Sequence, residues 1–308
     1  MKTLILGAGG IGGYYGARLI QSGAEVDFLV RPARAELLRR NGLVVKSPLG
    51  DAHCPVNAVT SVSATPGAYG LVMLSCKAYD LDAAMDAIAP AVEGGAMVLP
   101  LLNGMAHMDR LDARFGRSAV MGGVAHISTT LAPDGSIHHL NKLQRIFAGP
   151  RDAAQADEVH ARLQGLATCG IAFSESPDIE ARMWDKWVFL ATLAAATTAL
   201  RASIGTILET THGKATVLGL LDECLAVAAT VGHRPEAEQL ETYRNTLTEA
   251  GSALKASMLR DLESGGRTEA EHVIGDMVKR AGAGGVEVPL LRFALTHLQA
   301  YELQRVRA

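Results

Sequence analysis

The sequence predicts an α/β fold in its first half, followed by an all-helical second half. Three observations predict it. The chain opens on a short apolar run, a glycine-rich turn and a helical pattern. Strand and helix signals then alternate as far as Leu99, and from Asp178 onward nearly all apolar spacing is helical.

The first element is a strand over residues 2–6, which runs straight into Gly7-Ala8-Gly9-Gly10-Ile11-Gly12. A helix follows through Tyr14-Tyr15-Gly16-Ala17-Arg18-Leu19-Ile20, Gly23 stops it, and residues 24–30 read as a second strand. Alone, the G-x-G-x-x-G match is only a glycine-rich turn. Flanked by strand, helix and strand it is a Rossmann-type dinucleotide site, with glycines for the tight turn, for close approach to a pyrophosphate and for helix–strand packing. The helix N-terminus adds free N–H groups and partial positive charge.

The end of the second strand bears on which dinucleotide. An NAD site places a carboxylate there for the ribose 2′-hydroxyl. Here the chain reads Val30-Arg31-Pro32-Ala33-Arg34, with no carboxylate before Glu36. Two guanidiniums at that point suit a 2′-phosphate, which predicts NADP(H).

Further along, a helix is expected over residues 33–40 and strands over 42–46, 71–75 and 96–99, with a helix over 80–92 between the last two. This βαβ rhythm predicts a parallel sheet with right-handed crossovers. Residues 119–128, 136–140 and 145–148 read as strands, with Pro133-Asp134-Gly135 turning between the first two. Strands so placed extend a dinucleotide sheet at one edge. After Glu175-Ser176-Pro177 the expected helices cover residues 179–201, 206–231, 235–250, 254–262, 268–281 and 288–306. The predicted organisation is therefore a dinucleotide-binding domain over residues 1–176 and a helical substrate and catalytic domain over 177–308, with ligands in the cleft between them.

Composition agrees with a globular protein of two domains: 308 residues, 48% hydrophobic and 20% charged. A net charge of −3 and the lack of a basic stripe exclude a nucleic-acid partner. Cys54, Cys76, Cys169 and Cys224 are dispersed and read as reduced core residues. The apolar run over residues 187–200 is too short to span a bilayer, and a strand starting almost at Met1 leaves no room for a signal peptide. A cytoplasmic protein without membrane association is expected. The apolar helical half permits a homodimer.

Chemistry concentrates at a few positions. Lys77, Asn103 and His126 stand in or near loops after strands, where Lys77 either faces a ligand or is an ordinary surface lysine, Asn103-Gly104 makes a turn, and His126 sits in an apolar run as a core histidine. Lys186 lies between Trp184 and Trp187 early in the second domain. Facing a cleft, it can act as general acid to a carbonyl receiving a hydride; otherwise its stem covers apolar surface. Thr268 with Glu271 fits a capping box, which sets Glu269 in a helix's first turn. His138-His139 lack partners at metal-ligand spacing, and no metal site is expected.

These residues together resemble the ketopantoate reductase family over nearly the whole chain. The likeness rests on the glycine loop, Cys76-Lys77, Leu102-Asn103-Gly104, the Trp184/Lys186 helix, and Ser257-Met258-Leu259 with Arg267-Thr268-Glu269. It implies NADPH-dependent reduction of 2-dehydropantoate to (R)-pantoate, a step of pantothenate biosynthesis. By the same resemblance Lys186 is the proton donor and Glu269 lies beside it and the cofactor. Lys77 and Asn103 meet cofactor and substrate, Ser257 holds the substrate, and Ser128 approaches the nicotinamide through its backbone.

The chain departs from the family pattern at three asparagines. Leu190 and Ala194 stand four and eight residues after Lys186, and Ile204 precedes Gly205. Losing amides from a site that bonds a hydroxyl weakens discrimination steeply. Thr197 and Arg201 share the helix face but stand too far along it to substitute, and Arg201 is expected to serve the helix C-terminus. The departure leaves two alternatives to ketopantoate reduction: a reductase of a more apolar keto acid, or a non-catalytic NADP(H)-binding protein. The second has no need of Lys186 and Glu269.

Overall fold

A computed structural model describes residues 1–167 and 171–307; Cys169 lies outside the described residues. The chain divides into two compact units, Met1–Leu102 with His107–Arg182, and Asn103–Ala106 with the chain from Met183 onward.

In the first unit the strands are β1 (Thr3–Leu6), β2 (Val26–Leu29), β3 (Leu43–Lys46), β4 (Ala52–Cys54), β5 (Asn57–Val59), β6 (Leu71–Leu74), β7 (Met97–Pro100), β8 (Gly122–Leu131), β9 (Ile137–Gly149) and β10 (Ala172–Glu175). The helices are α1 (Gly10–Gln21), α2 (Pro32–Asn41), α3 (Leu81–Glu93), α4 (Ala106–Phe115, whose first residue counts with the second unit) and α5 (Ala156–Ala167). A parallel sheet has the order β5-β2-β1-β6-β7, with Leu4 facing Asp27 on one side and Val72 on the other. Each of β1, β6 and β7 is buried almost throughout, as expected of strands covered on both faces.

The later strands do not extend that sheet. They form a second one, β10-β9-β3-β4 with β8 antiparallel to β9, and an isolated bridge between Val98 and Val120 links β7 to the residues just before β8. The reason is β3, which pairs with β4 and β9 and so leaves the first sheet. Helix α1 packs against strands of both sheets. Tyr14 and Tyr15 are fully buried, Tyr15 Oη donates to the Arg145 carbonyl on β9 at 3.3 Å, and Tyr14 packs on His139 at 4.6 Å between centroids. A side chain at Gly16 would strike Phe28 of the first sheet, and one at Gly13 would strike Ile137 of the second. Residues 141–144 interrupt the apolar alternation but not β9; they lie opposite a register shift between Ile127 and Thr129.

The second unit is helical: α6 (Ile179–Leu200, its first turns counted with the first unit), α7 (Ile204–Leu208), α8 (Gly213–Thr230), α9 (Ala237–Leu247), α10 (Ser257–Glu263), α11 (Asp276–Ala283) and α12 (Pro289–Arg307). Thr192, Thr197 and Thr198 are fully buried in α6 and donate to the carbonyls four residues back, at 2.9, 2.7 and 2.6 Å. Glu223 on α8 accepts the Leu290 and Leu291 backbone N–H groups at 2.9 Å, capping the start of α12. The helix expected over 206–231 is broken, because Thr210 turns back onto the Ile207 carbonyl and α8 begins afresh at Gly213.

The capping box expected at Thr268 is also absent. Thr268 N and Oγ1 both donate to Glu302 Oε1 on α12, at 2.6 and 2.8 Å, and Glu271 accepts from Gln299 Nε2 at 2.8 Å. In place of one regular helix, a π-helical turn over Glu271–Gly275 leads into α11. Among the described residues no helix is long and apolar enough to cross a membrane.

Candidate active site

The dinucleotide loop is built at the C-terminal end of β1. Gly7 has φ +93°, a backbone region that side chains disfavour. A Cβ on Gly12 would collide with the Gly7 carbonyl and Ser75 Oγ, and one on Gly10 would meet Thr129 Oγ1 at 2.5 Å. Gly9 differs: its φ is −86° and a Cβ there would meet nothing within 4 Å. Neither conformation nor protein packing demands glycine at that point. Open space beside a helix start is what a phosphate cradle needs, so the loop fits a dinucleotide.

The two arginines after β2 behave differently. Arg31 is 78% exposed and pairs with Asp80 at 2.9 Å. Such an exposed pair is worth little and is readily exchanged for a phosphate. Arg34 is half-buried; its Nη2 donates to the Ala8 carbonyl at 2.8 Å and its Nη1 to the Gly135 carbonyl at 3.0 Å. Only Arg31 presents its guanidinium at the surface. Lys77 is half-buried three residues after the end of β6, in the extended conformation that opens a short 3₁₀ turn over Ala78–Asp80. Ser128 lies on β8 between the two positions of its register shift. His126, on the same strand, stands edge-on to Phe147 at 5.8 Å. His139 is held by Ser47 Oγ and the Leu143 carbonyl, and His138 by Ser136.

In the second unit one small pocket is lined by Asn103, Ser257 and Glu269, with Leu190, Ala194, Ala256, Met258 and Val273 as its apolar wall. Three polar residues singled out in the sequence therefore meet, and so do two of the three positions where asparagine is missing. Ile204 is fully buried and is not part of that lining. Ala256 and Val273 lie outside the motifs legible in the sequence. Val273 follows Glu269 by four residues and shares its side of the helical path, a spacing that is legible in principle. A Cβ on Gly104 would meet the His272 carbonyl at 3.0 Å, so the Asn103-Gly104 turn sits tight against the π-helical turn.

Lys186 lies on α6 one helical turn before Leu190. Burial pushes its ammonium down to about 8, against which the charge of Glu269 pulls it up. Glu269 itself is 8% exposed. A lysine tuned close to neutrality, still mostly protonated at pH 7, is suited to give up a proton. The helix behind it is fixed. Trp187 Nε1 donates to the Val273 carbonyl at 2.9 Å, Arg280 lies over both Trp184 and Trp187, and His233 Nε2 meets Asp185 Oδ1 at 3.1 Å.

Comparison with known proteins identifies the family. A family model described as ketopantoate reductase PanE/ApbA matches residues 3–153, and the model of its C-terminal part matches residues 178–302. The chain is 32% identical over 305 residues to an uncharacterized oxidoreductase, YkpB, of Bacillus subtilis, covering 99% of this chain and all of the relative. It is 28% identical over 301 residues to a 2-dehydropantoate 2-reductase of Archaeoglobus fulgidus, covering 98% of each. Among solved structures, a PanE/ApbA family ketopantoate reductase from Ralstonia eutropha superposes with a TM-score of 0.89 at 25% identity, over 99% of this chain and all of the other.

Proposed function

The chain belongs to the ketopantoate reductase family of oxidoreductases, and from that premise we propose that it reduces a 2-keto acid to the 2-hydroxy acid with NADPH, the family substrate 2-dehydropantoate giving (R)-pantoate. The observation that carries this reading is the pocket in which Glu269 meets Asn103 and Ser257 beside Leu190, one turn after Lys186, whose ammonium burial lowers to about 8 against the pull of Glu269. The dinucleotide supplies the hydride. Lys186 gives its proton to the oxygen that the hydride leaves negative, and Glu269 keeps the lysine charged until it does so. Asn103 and Ser257 offer an amide and a hydroxyl to orient the acid, and Lys77 with the Ser128 backbone serves the cofactor side. Arg31, exposed after β2, would hold a 2′-phosphate and so favour NADPH. Cys54, Cys76 and Cys224 form no disulfide among the described residues, which fits a cytoplasmic location.

A second reading has a specific observation in its favour. Leu190 and Ala194, where the family carries asparagine, line the pocket together with Met258 and Val273. Such a wall suits a keto acid with a more apolar side chain than ketopantoate. The test is oxidation of NADPH, followed by the absorbance of the reduced nicotinamide, with ketopantoate and a series of aliphatic and aromatic 2-keto acids. Turnover of ketopantoate in preference to the others supports the first reading, and turnover of only the apolar acids supports the second. NADPH binding without turnover of any acid would leave a non-catalytic binder and overturn both.

A further inference from the structure

Arg34 is a half-buried cation without a carboxylate. Its hydrogen-bond partners are two carbonyl oxygens, of Ala8 in the glycine loop and of Gly135 in the turn between β8 and β9. Its Nε is buried and has no hydrogen-bond partner. The neighbouring acidic groups are committed elsewhere: Glu36 to Arg39 and Arg40, Asp80 to Arg31, and Asp134 to the Ser136 backbone and hydroxyl. Desolvation accordingly lowers the pKa of Arg34, with no acidic partner to oppose it. Two neutral acceptors do not repay the cost of withdrawing a guanidinium from water, and a side chain that only braced the loop could have done so uncharged. Charge left unneutralised in one state is explained when a second state supplies the counter-charge.

We infer that Arg34 is a positioning residue for the dinucleotide loop, whose charge is neutralised by the pyrophosphate that the loop binds, so that it serves NADPH and NADH alike while Arg31 alone reads the 2′-phosphate. Through Nη2 it fixes the Ala8 carbonyl, and through Nη1 it ties the loop to the β8–β9 turn. Held in this way, the loop keeps its N–H groups directed to one site before the ligand arrives. The inference rests on the dinucleotide reading of the loop but not on the identity of the keto acid.

The test measures dissociation constants for NADPH and NADH and the melting temperature of the ligand-free protein, for wild type, Arg34→Met, Arg34→Lys and Arg31→Ala. Arg34→Met should weaken both dinucleotides by the same factor, about tenfold or more, the scale of one charge-assisted contact. Its ligand-free melting temperature should be no lower than that of wild type, and Arg34→Lys, which keeps the charge, should recover much of the affinity. Arg31→Ala should weaken NADPH alone. Unchanged affinity in Arg34→Met would overturn the inference, as would a loss confined to NADPH, which would make Arg34 a ligand of the 2′-phosphate. A lower melting temperature in both Arg34 variants, with affinity intact in whichever remains folded, would make it a structural brace and overturn it too. If wild type bound neither dinucleotide, the reading of the loop would fall, and this inference with it.

Discussion

Trp187 donates its indole N–H to the carbonyl oxygen of Val273 across 2.9 Å, and this bond ties the helix carrying Lys186 to the π-helical turn that follows Glu269. Trp187 is 1% exposed, and its ring stands 4.8 Å from that of Trp184. π-Helical turns occur often at functional sites, because the extra residue redirects side chains and frees backbone groups for other partners. Here the acceptor belongs to a residue that also lines the pocket.

Trp187→Phe tests this tie. The ring is largely kept, but the Val273 carbonyl loses its donor in a buried place, a loss of about 1–3 kcal/mol. Denaturant unfolding should show that loss without a change in slope. A variant as stable as wild type would mean that the bond contributes nothing net.

The lysine and glutamate make a pH prediction. A proton donor works only while protonated, so turnover should fall as pH rises through about 8, the value to which burial lowers Lys186 against the pull of Glu269. Glu269→Gln removes the opposing charge, the lysine pKa drops further, and the falling limb should move to lower pH. Lys186→Ala should cost about 10²–10⁴ in turnover. A limb that stays in place in Glu269→Gln, or an undiminished rate in Lys186→Ala, would remove the pair from proton transfer.

Much of this arrangement was legible in the sequence. Apolar spacing is a local property, and with the glycine motif it located four of the five strands of the first sheet, the glycine loop and most helices. The spacing of Lys186, Leu190 and Ala194 by fours placed the missing asparagines on one face, and the two nearer positions do line the pocket. What escaped depends on residues distant in the chain. Thr268 and Glu271 have the spacing of a capping box, yet both bond to α12, through Glu302 and Gln299. The strands β4 and β5 are three residues each, too short for a period to show. The second sheet was hidden for the same reason, since β3 looks like any next strand until its partner β9 is known. Arg34 stands where an arginine for the 2′-phosphate is expected, and nothing local in the sequence announces that its Nη groups donate to the Ala8 and Gly135 carbonyls.

Cofactor choice is tested at Arg31. Its side chain is exposed and pairs with Asp80. Hydrogen bonds to a charged group contribute about 1.5–3 kcal/mol, so Arg31→Ala should weaken NADPH by roughly ten- to a hundredfold and leave NADH nearly unchanged. Equal loss for both dinucleotides would place Arg31 outside the 2′-phosphate site.

Substrate choice is tested at the pocket wall. Leu190→Asn with Ala194→Asn restores two amides facing Ser257 and Glu269 in the same pocket. If the missing asparagines set specificity, kcat/KM should shift towards ketopantoate and away from acids with aliphatic or aromatic side chains. The shift should be about tenfold or more, as expected when a polar group is supplied to a substrate hydroxyl. An unchanged ratio would show that discrimination resides elsewhere.

The first sheet carries a pH-dependent contribution of its own at Asp27. This residue is 3% exposed in the middle of β2, where its carboxylate meets Lys2 Nζ at 2.7 Å, Tyr69 Oη at 2.6 Å and Asn57 Nδ2 at 2.8 Å. Burial alone would raise its pKa, but the three donors and the lysine charge outweigh it and hold the carboxyl below its ordinary value. The same contact pushes the Tyr69 hydroxyl up, after burial has already done so. A folded pKa below the unfolded value, near 3.9, means that the stabilisation is complete above that value and is lost as pH falls through the folded pKa. Asp27→Asn keeps the shape, removes the charge and turns an N–H group towards Lys2 or Tyr69. It should cost about 1–3 kcal/mol at neutral pH, a deficit that shrinks as acid protonates the wild-type carboxyl. Urea unfolding of both proteins across that range checks it: a constant deficit would show that Asp27 acts by shape alone, because only a charge effect can vanish on titration.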